Sequence, residues 1–192
     1  FVPSILGELH SLWSSPKNQT ITKAAVLNVL SEILKVTNEE RTQSFPPQFY
    51  AQYRDFVWNV LSTSLDLSHP DSVHLLKPAS KIWLYLLLTG EVTPQLGGLY
   101  HATNIAAMIA QSPESHNIIV KIIHAYILKG STEFVTAHMD SILSVMHTAS
   151  SWFNNMDSGA QITVSNIGKH LIRNYPRTLI SLRPLIINIF TG

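Results

Sequence analysis

Residues 112–131 read SPESHNIIVKIIHAYILKGS, and their apolar positions recur at helical rather than alternating spacing. Ser112 is a candidate N-cap, Pro113 presets the first helical dihedral and Glu114 complements the positive end of the dipole. Gly130 follows as the stop. With about 100° per residue, Ile118, Ile119, Val120, Ile122, Ile123, Tyr126 and Ile127 sweep an arc of roughly 200°. Asn117, Lys121 and His124 share what remains. An arc that wide needs neighbours on at least two sides, as a helix inside a stacked array has; a four-helix bundle is served by a narrower stripe.

The same grammar runs along the chain. It predicts nine helices, near 3–14, 20–37, 47–65, 72–89, 95–111, 114–129, 131–148, 160–174 and 177–190. Prolines and short polar clusters separate them, several with proline in a first helical turn, where its missing donor costs nothing. Pro78 is the exception and marks a kink or a later helix start. Most connections are short enough to make successive helices adjacent and antiparallel. Residues 38–46 and 149–159 are longer and polar and read as mobile loops.

Composition narrows the function classes. Of 192 residues, 45% are hydrophobic and only 13% charged, against roughly 25% charged in an average soluble domain. The surface is therefore solvated by neutral polar groups, or part of it is covered by another molecule. A formal net charge of +1 gives no global pull toward nucleic acid or acidic membranes. Charge is nevertheless segregated: from Ser158 onward the chain carries Lys169, Arg173, Arg177 and Arg183 and no acidic residue. Cysteine is absent, which excludes disulfides and thiolate metal sites. An unstapled chain of this size without a signal-peptide pattern fits an intracellular protein, cytoplasmic or nuclear. The longest strongly apolar run, IWLYLLL at 82–88, falls far short of the roughly 20 residues a membrane span needs. A first residue of Phe1 rather than methionine suggests a segment of a longer protein.

Residues 15–35, SPKNQTITKAAVLNVLSEILK, and the run 112–146 resemble helix pairs of the armadillo/HEAT α-solenoid superfamily. The period is uneven, and the glycine between first and second helices of those repeats recurs irregularly, so a compact irregular helical domain is the alternative. The resemblance implies an all-α superhelical stack over a single domain, 1–192, that works by binding protein.

It also implies where binding occurs, because armadillo arrays carry polar ladders whose side-chain amides hold an extended peptide. An amide suits that task by offering donor and acceptor together. Four ladders are present: Asn28, Ser31, Glu32 and Lys35; Asp55, Asn59 and Ser62; Asn117, Lys121 and His124; and Asn166, Lys169, His170 and Arg173. The last is the best candidate. Its i, i+3, i+4, i+7 spacing aligns four polar side chains, Arg177 extends it, and Val164, Ile167 and Leu171 face away. Such a face could pair with an acidic protein motif or touch nucleic-acid phosphates. Polar positions are equally what any solvated helix face shows, and basic residues near a helix C-terminus are favoured by the dipole.

Trp152 and Phe153 stand in an otherwise polar stretch, SSWFNNMDSG. They either pack back beneath the chain or anchor a partner. Nine histidines invite a metal reading that spacing rejects, since neither an HExxH nor a Cys/His framework occurs. His138 falls on an apolar face with Phe134, Met139 and Ile142 and reads as a hydrogen-bonded core residue. Gly97-Gly98 lacks both phosphate-loop patterns and marks a bend or a close helix approach. No serine, histidine and aspartate fall in a nucleophile context. The reading is a non-enzymatic scaffold or adaptor without cofactor or metal, binding a peptide motif or helical subunit; the alternative is a helical module touching nucleic-acid backbone.

Overall fold

The computed structural model describes residues 2–15, 19–39, 47–89, 92–111, 115–178 and 180–191. All regular structure among them is helical. The chain forms two compact units, Phe1–Thr89 and Gly90–Gly192.

The first unit contains α1 (Val2–Ser14), α2 (Thr20–Glu39), α3 (Pro47–Ser64) and α4 (Ser72–Thr89). α1 packs on α2 and α3 on α4, while α2 lies along α4 and α1 along α3. Alternate helices thus form two layers. Leu6, Leu9 and Trp13 line the inner face of α1, and Val26, Leu27, Leu30 and Leu34 that of α2. The α2 residues close on α4, where Leu75, Leu76, Ala79, Ile82, Trp83 and Leu87 are buried, Trp83 fully. Each such aliphatic side chain contributes about 1.5–3 kcal/mol by leaving water. Trp58, on α3, is only half-buried. α4 starts at Ser72 and runs through Pro78, so that proline marks no later start. The carbonyl it leaves without its helical amide partner, that of His74, belongs to an exposed residue, where water can serve it.

The second unit contains α5 (Pro94–Ala102), α6 (Ile105–Gln111), α7 (His116–Lys129), α8 (Thr132–Ala137), α9 (Met139–Ser150), α10 (Ser158–Asn174) and α11 (Arg183–Thr191), with 3-10 turns at Phe153–Asn155 and Pro176–Thr178. Two of the nine expected helices are therefore broken. At the first break Thr103 is extended and its hydroxyl donates to the Leu99 carbonyl at 3.0 Å, while the Asn104 side chain accepts the Ala107 amide at 3.1 Å and restarts the helix. Local side-chain bonds of this kind compete with helix continuation. At the second, His138 leaves helical geometry, with φ −107° and ψ 12°, and its ring Nδ1 meets the Phe134 carbonyl at 2.8 Å. The final helix begins at Arg183 rather than near 177.

Buried hydrogen bonds set the directions of these helices. Tyr126, at the end of α7, donates its hydroxyl to the Leu96 carbonyl at the start of α5 at 2.6 Å. His116, at the start of α7, bonds the Ile109 carbonyl near the end of α6 at 2.5 Å. The α5–α6 arm therefore runs antiparallel to α7. The α8–α9 arm ends beside the start of α7, where Trp152 stacks on His116 with ring centroids 4.1 Å apart. α6, α9 and α11 pack in one layer and α7 and α10 in the other. The wide apolar arc of α7 is explained by this sandwich: Ile119, Val120, Ile122, Ile123, Ala125, Tyr126 and Ile127 are all buried. Ser112 and Glu114, the expected cap, lie outside the described residues, whereas Gly130 does close α7, its amide donating to the Tyr126 carbonyl at 2.8 Å.

Candidate partner-docking face

α10 is held at its start by Asp157, whose Oδ1 accepts the Ala160 amide at 2.7 Å and whose Oδ2 accepts the Asn117 side chain at 2.5 Å. At the other end Ile127 and Gly130 share a hollow with His170, Asn174 and Tyr175. α7 and α10 consequently run in the same direction, with their polar ladders side by side. Ala160, Val164, Ile167, Gly168 and Leu171 bury the inner face of α10, leaving Asn166, Lys169 and Arg173 exposed.

The ladder divides differently from the way its spacing suggests. Asn166 and Lys169 line an open groove of about 390 Å³ with Phe153, Ser158, Gln161, Ile162 and Ser165. His170 turns instead toward α7 and lines the separate hollow with Thr132 and Val135. A spacing of i+4 still rotates a side chain by about 40°, enough to move it from solvent to a neighbouring helix. His170 faces His124, whose imidazole is held below its ordinary range by burial, with like-charge repulsion from His170 adding to it. Lys121 is exposed on α7, and Arg177 is exposed on the 3-10 turn after α10. None of Lys121, Lys169, Arg173 and Arg177 has a carboxylate partner among the described residues.

The stretch 149–159 is not a loose polar loop. α9 continues to Ser150, and Phe153 opens a 3-10 turn whose carbonyl accepts the Gln161 Nε2 at 2.9 Å. Trp152 packs back, on His116. Phe153 remains half-exposed at the groove. Ile162, 61% exposed, was missed as a groove residue; its signal was an isoleucine centred on the otherwise polar side of the α10 helical wheel. Leu128, 58% exposed, likewise continues the Asn117, Lys121, His124 strip.

The other ladders are weaker. Ser31 is buried and donates to the Asn28 carbonyl at 2.8 Å, so it leaves its ladder, and Lys35 lies 3.9 Å from Glu32. Asn59 receives Ser62 and Thr63 hydroxyls on its carbonyl. His138 is half-buried, stacked on Phe134 and edge-on to Tyr100. Gly97 and Gly98 sit within α5, and only Gly97 is closely approached, by the Phe134 ring. Among the described residues no group of three or more His, Asp or Glu is arranged to hold a metal, and no helix is long and apolar enough to cross a membrane.

Layered helix pairs of this kind define a helical-repeat protein of the α-solenoid type. A family model described as Importin-11-like, TPR repeats, matches residues 24–191. The chain belongs to that family. It is similar to Importin-11 of Mus musculus, 26% identical over 139 residues, and to Importin-11 of Homo sapiens, 25% identical over the same length; each match covers 72% of this chain and 13% of the relative. The chain thus spans about 13% of the length of the curated relatives it matches. No solved structure matches.

Proposed function

We propose that the chain is a non-enzymatic binding module and that the outer face of α7 and α10 docks an acidic, extended segment of a protein partner. The observation that carries this is the set of exposed cations without carboxylate partners among the described residues, Lys121, Lys169, Arg173 and Arg177, of which Lys169 shares a groove with the amide of Asn166 and the ring of Phe153. Exposed cations of this kind can form charge-assisted bonds to a partner's carboxylates, and the half-exposed aromatic supplies apolar area. Membership of a family whose relatives are named importins supports an intracellular setting, cytoplasmic or nuclear, and a protein rather than a small molecule as ligand. We read 1–192 as one repeat domain on the same ground.

The test is titration of the isotope-labelled chain with a peptide alternating glutamate and serine, followed by amide chemical shifts. Shifts centred on α7 and α10, absent in the Lys169→Glu/Arg173→Glu variant, are expected. Equal shifts in that variant would remove the assignment. A single-stranded oligonucleotide that binds the same face more tightly than the peptide, with a steep loss in salt, would favour the nucleic-acid alternative.

A further inference from the structure

The groove on α10 is graded along its length. Its N-terminal end presents Phe153 and Ile162, its middle Asn166, and its C-terminal end Lys169, followed by exposed Arg173 and Arg177. Asp157 caps the N-terminal end, so a carboxylate-bearing ligand is repelled there and attracted toward the far end. An isoleucine 61% exposed on a helix is unremarkable singly, but this one adjoins a half-exposed phenylalanine whose backbone is anchored by Gln161. Two apolar groups on a fixed frame form a seat for one side chain.

We infer that the groove selects segments in which an apolar side chain is followed at a fixed distance by acidic ones, the apolar residue seated between Phe153 and Ile162 and the acids on Lys169 and Arg173. Ile162 is here a specificity residue, and the inference rests on the acidic-docking reading above. Helix rise places Lys169 about 10 Å and Arg173 about 16 Å beyond Ile162. An extended segment advances about 3.3 Å per residue, so the acids fall near the third and fifth positions from the apolar residue. Amides such as Asn166 can bond the intervening backbone.

The experiment measures fluorescence anisotropy of short labelled peptides on the full chain. The reference peptide has a leucine, then glutamates at the third and fifth following positions, in a serine background. One control replaces the leucine by serine, and another moves both glutamates next to it. The reference is expected to bind about tenfold more tightly than the leucine-free control, and Ile162→Ser to erase that difference while leaving binding of the leucine-free control unchanged. Because Ile162 is exposed, the variant folds, which its circular dichroism spectrum checks. A preference for leucine that survives Ile162→Ser, or equal binding of the shifted-glutamate control, would overturn the inference alone. Undiminished binding of every peptide to Lys169→Glu/Arg173→Glu would overturn the acidic-docking reading and this inference with it.

Discussion

Replacing Gly130 with alanine should loosen the junction of α7 and α8, although its backbone angle of φ −71° suits any residue. The obstacle is space. An added Cβ would lie 2.5 Å from the Tyr126 carbonyl oxygen and 2.9 Å from Cδ1 of Phe134. That carbonyl already accepts the Gly130 amide at 2.8 Å, so relief of the clash stretches the bond that closes α7, worth about 1 kcal/mol. The Phe134 ring is stacked on Tyr126 and His138 and can yield only by disturbing both, an overpacking cost of about 1–3 kcal/mol. Reduced freedom of the unfolded chain returns about 0.4–1 kcal/mol. The net is a loss of about 1–3.6 kcal/mol. Two compact units make a single melting temperature ambiguous, so the assay is hydrogen exchange read on peptides covering α7 and α8. Their opening should accelerate about 5- to 400-fold. Gly98→Ala, at a helical position with no atom within 4 Å of the new methyl, is the control and should slow local exchange, since alanine favours helix by about 0.5–1 kcal/mol. Exchange of Gly130→Ala within threefold of the parent would refute the steric argument.

Other predictions concern the frame around the groove. Asp157→Ala removes a cap and the partner of Asn117, and should cost about 0.5–2 kcal/mol, seen as faster exchange in the first turn of α10; unchanged protection there counts against the cap. Burial holds His116 below its ordinary pKa, opposed in part by its bond to the Ile109 carbonyl. Its folded pKa is depressed, so the unfolded chain takes up the proton first. The associated stability is present above about pH 6.5 and is lost as pH falls through the folded value. The urea midpoint of the second unit, followed through amide signals of α7, should therefore drop between neutral and mildly acidic pH, and His116→Gln should flatten that part of the drop; an identical slope in the variant contradicts it. Tyr126→Phe removes the hydroxyl bonded to Leu96 and should destabilise the α5–α7 contact by about 1 kcal/mol, measurable as faster hydrogen exchange on peptides covering α5 and α7.

Architecture was legible in residues 112–131 because a helix apolar over so wide an arc can be satisfied only between neighbours, and every residue buried on α7 except His116 and Ala125 lies on the arc read from the wheel. The helix breaks at Thr103-Asn104 and His138 were less legible. They depend on a threonine hydroxyl, an asparagine cap and a histidine ring each choosing a backbone partner, and those choices are close in energy to continued helix.

The site was half legible. One-dimensional spacing identified Asn166, Lys169 and Arg173 as surface candidates, since the angle of a residue on its own helix follows from its number, and Phe153 stood out as an aromatic in a polar stretch. It could not separate His170 from that group or add Ile162 and Gln161 to it, because which side of α10 meets α7, and where the 153–155 turn comes to rest, are set by contacts between residues distant in the chain. Periodicity determined that helices form and which stripe of each is buried; the packing of α10 between its neighbours decided which exposed side chains share a groove.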